Sequence, residues 1–396
     1  MRIRRCATLV IEPRERIEFD LGALLAGETG VVSRLEWVAL APHLDDEQVL
    51  ADAEVAALGA ISPTQWADRE ALAQHHSDAV LDGLLAKGLL VGEEATASDD
   101  AVARDAALRG AHWRGLSAVA HRFGRWRGID SNEVERRFAE ESDQSFVERL
   151  GPPPPHVLER APAEQRLGLP AAADSPLDAL LASRVTCRNF DRSRAVTLAE
   201  FGTCLYRAFG ARAVSEIAPG IRILKKGSPS AGGLHVTEAY VLVQQVEGLA
   251  PGLYHYHPVD HALEPIETLA PDAAADCARR FVAAQAYYAE AHVQVILASR
   301  FRRNFWKYRN HAKAYRAVIL DAGHLSQTLY LAATELRLGA FITAAINEVD
   351  IEQAFGLEPM EEGPLAVCGF GPRAAQRTTI ELDPLGAVWP ILPSRN

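Results

Sequence analysis

The chain has no Cys-x-x-Cys pair, and its five cysteines (Cys6, Cys187, Cys204, Cys277 and Cys368) are odd in number and widely scattered. That pattern argues against a disulfide framework and against a cysteine-built zinc site. No apolar stretch approaches the roughly 18 residues of a membrane-spanning helix. The amino-terminal MRIRRCATLVIEPRE carries positive charge, but its apolar run is far too short for a secretory signal. Positive charge is in the minority: 41 Lys and Arg against 52 Asp and Glu leave a net charge of −11. Such a balance opposes general affinity for nucleic acid or for an anionic membrane surface. Internal repeats and a dinucleotide-binding glycine fingerprint are also missing. The expectation is a cytoplasmic chain with neither nucleic acid nor membrane as partner. At 396 residues, 48% of them apolar and 23% charged, it is long enough for two or three globular domains.

Composition divides the chain into residues 1–95, 96–173 and 174–396. In the first part, alternation over Cys6–Ile11 and Arg16–Phe19 predicts short strands, and 34–40 and 63–73 read as helices. DAVLDGLLAKGLLV, Asp78 to Val91, places Val80, Leu81, Leu84 and Leu85 on one helical stripe, followed by Gly88 and a strand. This is the texture of a winged-helix-like α/β module, which can bind DNA, hold a peptide along a strand edge, or merely cap the next domain. The acidic surroundings favour the peptide. In the second part, 93–105 reads as a loose acidic connection. A helix then carries Trp113, Leu116, Ala120 and Phe123 among Arg114, His121, Arg122, Arg125 and Arg127. Basic residues interleaved with tryptophan can mark nucleic-acid binding; packing on the main domain, or lining a peptide groove, is the other reading. Gly151 and the four prolines after it form a stiff spacer.

From Pro176 onward helices and strands alternate, which predicts an α+β sandwich around one central sheet. Helices are expected at 177–183, from Thr197 as N-cap to Phe209, at 271–291 and at 321–338. Strands are expected at 240–245, 252–256, 293–298, 341–344 and 364–370. The stretch around which this part is organised is KGSPSAGGLHVTEAYVLV, Lys226 to Val243. Small residues from Ser228 to Gly233 let backbone N–H groups face a planar or anionic ligand, and the glycines permit positive φ. A buried strand follows.

The pattern PSAGGLH-x-x-E-x-Y resembles the PSAG-x-x-x-P-x-E-x-Y signature of the SagB-type, McbC-like dehydrogenases, the peptide-maturing branch of the FMN-dependent nitroreductase family. Other segments agree. RVTCRNF, Arg184 to Phe190, resembles the R-R-S-x-R-x-F segment opening such domains, with Val185 in place of an arginine and Thr186 in place of serine. The resemblance implies that Arg184 and Thr186 hold the FMN phosphate with Arg188 close by, since a guanidinium fork beside a hydroxyl suits a phosphate. It places Ser230, Ala231, Gly232 and Gly233 against the isoalloxazine, donating backbone hydrogen bonds. Gln327 falls near a flavin-facing position, and Ala345 and Ile346 lie in the loop whose N–H approaches flavin N5, here without the usual glycines. Arg373 supplies a second charge for the phosphate. Asp321 reads as an N-cap of the long helix, and Glu238 as a structural pair.

The family's Lys-Tyr pair corresponds to Lys307 and Tyr308. Taking a hydride from a thiazoline or oxazoline leaves a proton on the adjacent carbon, and a lysine of depressed pKa or a tyrosine beside a cation can remove it. Without the resemblance, Trp306-Lys307-Tyr308 is a lysine snorkelling between aromatics. His255 and His257 share a strand face, but no carboxylate or cysteine completes a zinc set nearby, so no metal is expected. The implied fold is therefore a nitroreductase-like α+β sandwich with a mixed central sheet behind a small amino-terminal module. The implied function is FMN-dependent oxidation of azolines to azoles on a ribosomal precursor peptide, with dioxygen as acceptor, by a homodimer working with cyclodehydratase partners. Two alternatives remain at this level: an NAD(P)H-driven flavin reductase, and a non-catalytic scaffold of a peptide-modifying complex.

Overall fold

The computed structural model describes residues 1–27, 29–94, 100–133 and 143–390. The chain divides into two compact units interleaved in sequence. The first comprises Met1–Arg125, Arg300–Val318 and Glu358–Gly363; the second comprises Trp126–Ser299, Ile319–Leu357 and Pro364–Asn396. Among the described residues no helix is long and apolar enough to cross a membrane.

In the first unit Arg2–Arg5 pairs antiparallel with Ala67–Asp68 on one side and Leu90–Gly92 on the other. Helices Asp52–Ala60 and Asp78–Ala86 cover this small sheet with a core that includes Ile3, Leu58, Leu81, Leu84 and Leu89, all fully buried. Helix Asp78–Ala86 follows the stripe read from sequence, and Ser77 caps it by accepting the Val80 N–H. Gly88, at φ 70°, then turns the chain into strand Leu90–Gly92, a conformation that favours glycine.

A long hairpin joins Val10–Phe19 to Val31–Leu40 in an unbroken antiparallel register, and Gln48–Leu50 extends it. The helix expected over 34–40 is therefore a strand. The pairing puts Ile17, Phe19, Val31 and Leu35 on one face and Arg14 and Arg16, with Glu12, Glu18, Glu36 and Glu47, on the other, so period two prevails over the helical reading. The apolar face of the hairpin tip is exposed, Ile17 at 73% and Leu35 at 68%. The helix expected over 63–73 shrinks to Arg69–Ala73, behind strand Ala67–Asp68. The loose connection expected over 93–105 is corrected in its second half, where Asp100 opens a helix to Ala111; residues 95–99 lie outside the described residues. Buried Asp105 explains the order, since its carboxylate accepts the Ala7 N–H and pairs with Arg109.

The second unit is an α+β sandwich on a six-stranded sheet. Its strands are β1 (Thr237–Val243), β2 (Gly252–His257), β3 (Ala262–Thr268), β4 (Val293–Arg300), β5 (Leu338–Thr343) and β6 (Glu362–Pro372), in the order β3-β2-β1-β4-β6-β5. Thr186 adds a parallel bridge to Ala340 at the β5 edge. Alternation along each strand separates two cores. Ala239, Val241 and Val243 of β1 join Val293, Val295 and Leu297 of β4 against helix Leu198–Phe209 and helix Ala314–Glu335. Leu242, Ile296, Phe341 and Val367 face the opposite way, onto helices Pro271–Phe281 and Glu348–Phe355.

Thr197 caps its helix as read from sequence, completing a reciprocal capping box with Glu200. The helix expected over 271–291 breaks after Phe281, where Ala283 and Ala284 take positive φ, and resumes only at Ala286–Ala289. The hairpin Ala213–Ala218 with Ile221–Lys225, and strand β3, were not anticipated.

His292, fully buried, packs its ring where a Cβ on Gly371 would collide with it. Burial first, and the neighbouring Arg192 cation second, push its pKa from 6.5 down to about 4. The folded value lies below the unfolded one. The neutral ring therefore contributes its full stability above about pH 6.5, and that contribution is lost as pH falls toward about 4. We expect the unfolding free energy to drop by on the order of 2–3 kcal/mol across that window from this residue alone. Chemical denaturation at several pH values should show it, and His292→Gln should flatten the profile. An unchanged profile in the variant would assign the acid sensitivity elsewhere.

Candidate functional site

The small-residue run forms a tight turn in the second unit. Ser230 is extended, Ala231–Gly233 make one 3-10 turn, and Gly232 and Gly233 take φ of 60° and 69°. The turn is pinned from below by helix Ala314–Glu335. Asp321, 4% exposed, accepts the Ser230 hydroxyl at 2.5 Å and the Ala231 N–H at 3.1 Å. The Ser230 oxygen in turn accepts the His235 N–H at 2.9 Å. Ser228 adds a hydroxyl contact to Thr328 at 2.6 Å on the same helix. Asp321 is thus not an N-cap: the helix begins seven residues earlier, at Ala314, and the carboxylate is its clasp on the turn. Two of the expected backbone donors are already engaged, Ala231 N–H by Asp321 and Gly233 N–H by the Ser230 carbonyl. Burial and the Lys226 cation hold His235 below its ordinary pKa.

This clasp makes a direct prediction. Asp321→Ala releases two hydrogen bonds to the turn and should lower unfolding stability by about 1–3 kcal/mol. Asp321→Asn keeps one acceptor for the Ala231 N–H and should cost less. A thermal melt showing no difference between wild type and Asp321→Ala would mean that the turn holds itself.

Arg184, Thr186 and Arg188 lie on one segment at the β5 edge, where the Cys187 N–H donates to the Ala340 carbonyl at 2.8 Å. Thr186 Oγ1 is 3.0 Å from the Tyr330 hydroxyl, which also accepts the Ile342 N–H at 3.1 Å. Burial raises the Tyr330 pKa and keeps its phenol protonated. The Arg184 guanidinium sits over the Tyr330 ring at 5.3 Å, and among the described residues no carboxylate pairs with it. Arg188 is tied to the carboxy-terminal segment: its N–H reaches Glu381 at 2.5 Å, its guanidinium reaches the Ile380 carbonyl, and it lies over Tyr287.

Glu381 is the residue that sequence reasoning missed. Its side chain is fully buried and accepts from the N–H groups of Arg188 and Asn189, from Asn189 Nδ2 and from Trp389 Nε1, while it pairs with Arg373. Arg373 also donates to the Val185 carbonyl at 2.9 Å. The charge assigned to Arg373 for a phosphate is therefore already compensated, and Arg373 braces the Arg184–Arg188 segment. No local signal marks Glu381: Arg188 and Asn189 lie nearly two hundred residues away, and Arg373 and Trp389, eight residues to either side, follow no helical or strand spacing.

Ala345 bridges two contacts, its N–H to Thr343 Oγ1 and its carbonyl to Gln285 Nε2. Ile346 is fully buried, and no acceptor among the described residues takes its N–H. Asn347 closes the loop by exchanging hydrogen bonds with Ile129. Gln327 is exposed on helix Ala314–Glu335. Glu238 pairs with His255, which also meets Glu264 at 2.6 Å.

Lys307 and Tyr308 belong to the first unit. Helix Phe301–Lys307 buries Phe301, Asn304 and Phe305 and exposes Lys307. Its inner face sits in an aromatic cluster in which the Trp113 ring is 4.5 Å from Phe305, and His121 stacks on Trp113 at 5.4 Å. His121 donates from Nε2 to the Pro359 carbonyl and accepts at Nδ1 from Tyr315, and burial lowers its pKa to about 3. Trp113 and His121 are thus core residues, not a nucleic-acid face. Asn304 Nδ2 holds the Ala314 carbonyl at 3.0 Å, closing the loop behind Tyr308. Lys307 Nζ lies 5.5 Å from the centre of the Tyr308 ring.

Comparison with known proteins places a match to the nitroreductase family over residues 181–372. The chain is 26% identical over 245 residues to the trifolitoxin-processing protein TfxB of Rhizobium leguminosarum bv. trifolii, covering 60% of this chain and 64% of that protein. It is 24% identical over 158 residues to the microcin B17-processing protein McbC of Escherichia coli, covering 37% of this chain and 54% of that one. The chain thus spans somewhat less than two thirds of either relative. Among solved structures, the E. coli microcin synthetase McbBCD complex with truncated pro-MccB17 bound matches at 20% identity, TM-score 0.46, over 69% of this chain and 92% of that one.

Proposed function

Because residues 181–372 form a nitroreductase-family domain, we propose that this chain is an FMN-dependent oxidoreductase of ribosomal-peptide maturation that oxidises azoline rings to azoles. Arg184 carries this reading: a cation with no carboxylate partner among the described residues, beside a hydroxyl, at the start of the matched domain. FMN bound there would accept a hydride from the ring and pass two electrons to dioxygen. Arg184 and Thr186 hold its phosphate. A protonated Tyr330 can donate to Thr186 and leave the Thr186 proton for that anion. The Ile346 N–H, otherwise without an acceptor, suits a flavin nitrogen. The ring proton left after hydride loss goes to Lys307 or Tyr308. Similarity to the processing proteins TfxB and McbC supports a role in peptide maturation; a homodimer, cyclodehydratase partners and a cytoplasmic setting complete the proposed reading. In the same reading, residues 1–95 hold the peptide and 96–173 connect them to the catalytic domain.

The visible absorption spectrum of the purified protein tests this first. A bound flavin, retained at least tenfold more weakly by Arg184→Ala, is the expected result, since one charge-assisted contact is worth about 1.5–3 kcal/mol. Slow or absent bleaching by NADPH supports the dehydrogenase direction. Fast bleaching makes the chain a reductase, and no flavin even after adding FMN leaves a scaffold.

A further inference from the structure

Residues 300–316 contain seven Lys or Arg and no Asp or Glu, in a chain whose net charge is −11. The fold turns much of that charge outward. Helix Phe301–Lys307 buries positions 301, 304 and 305, which leaves Arg302 and Trp306, four residues apart, exposed on its other side, and Arg309 is exposed in the turn that follows. Arg302 is exposed and, among the described residues, approaches one carboxylate, Glu361, at 3.5 Å. Trp306, 50% exposed, is an aromatic left in solvent beside these cations. The Asn310 N–H donates to the His112 carbonyl at 2.9 Å, which brings the turn bearing exposed Arg114, and exposed Leu116 after it, alongside. Among the described residues Arg114, Arg309 and Lys313 have no carboxylate partner.

We propose that this basic, tryptophan-bearing face is a docking surface for an acidic segment of the peptide substrate. The assignment rests on the reading of the chain as a peptide-maturation enzyme. Cations around apolar side chains fit a peptide in which carboxylates alternate with apolar residues: the charges steer and orient it, and Trp306 and Leu116 cover its apolar positions. A nucleic acid is the poorer partner, because the overall field of a −11 chain repels a long polyanion and one exposed tryptophan offers no stacking track.

The test is fluorescence anisotropy with the full chain and labelled 20-residue peptides, one carrying six Asp or Glu among apolar residues, the other with Asn or Gln at those positions. The acidic peptide should bind at least tenfold more tightly, with an affinity that falls steeply with salt. The triple reversal Arg114→Glu, Arg309→Glu and Lys313→Glu should lose that preference while its melting temperature and flavin spectrum stay as in wild type. Trp306→Ala should weaken both peptides equally. Equal binding of the two peptides, an unaffected triple variant, or tighter binding of a 20-nucleotide single-stranded RNA would each overturn the proposal. Because the readout needs no turnover, a chain that binds no flavin but still selects the acidic peptide would sink the redox reading and leave this one standing.

Discussion

Glu381→Ala is expected to lower the unfolding free energy by about 3–5 kcal/mol, the range for removing one partner of a buried ion pair. The carboxylate is fully buried, and its loss leaves four N–H donors and the Arg373 cation facing apolar surroundings. Those donors lose their hydrogen bonds without regaining water, the costly direction of the exchange. Glu381→Gln keeps the shape and part of the acceptance but leaves Arg373 uncompensated, so an intermediate loss is expected. In the double variant Glu381→Ala, Arg373→Ala no charge is stranded, and it should be less destabilised than the two single changes summed, by at least about 1 kcal/mol. Denaturant midpoints measure all four. Strict additivity would show that the pair is incidental and that Glu381 acts only through its N–H donors. Because Arg188 and Asn189 hang on the same carboxylate, flavin retention should fall with stability, which separates this change from a remote core lesion.

Lys307→Ala should reduce the rate of azole formation by about 10²–10⁴-fold, the range for losing a positioned general base, with flavin content unchanged. The exposed position of Lys307 makes a folding explanation easy to exclude. Lys307→Arg separates charge from basicity: guanidinium stays cationic near neutral pH and cannot accept the proton, so it should be as slow as alanine if the lysine is the base. Tyr308→Phe should be slow by a similar factor if the phenol carries the proton, and nearly silent if it only packs beside the ammonium. Single-turnover bleaching of bound flavin by an azoline peptide, with loss of two hydrogens from the product by mass, reads both. Wild-type bleaching in Lys307→Ala would place the base elsewhere in the chain.

The parts of the fold legible in the sequence were those set by near neighbours. Thr197 and Glu200 lie three residues apart, and their capping box reads directly from their order. Strand β1 declares itself through Ala-Tyr-Val-Leu-Val, and the glycines of the small-residue turn are visible as glycines. What escaped was set by distant partners. Asp321 reads as a helix start by composition alone, and only the fold brings it under Ser230, 91 residues away. Arg373 reads as a spare cation although Glu381 is only eight residues on, because no regular spacing joins the two and the fold alone pairs them. Leu-Glu-Trp-Val-Ala-Leu serves a helix or a strand equally by propensity, and the hairpin partner Val10–Phe19 decided it.

The cysteines, noted first for lacking a pattern, end in one. All five are buried. Burial pushes the thiols of Cys6, Cys187 and Cys204 up to about 12 and raises Cys368 as well. Under the proposed reaction each turnover hands two electrons to dioxygen and releases hydrogen peroxide into the protein's own surroundings. Peroxide attacks thiolates, and burial keeps the thiols of Cys6, Cys187, Cys204 and Cys368 protonated. A single cysteine introduced on the surface would therefore be the one readily accessible thiol for a maleimide dye.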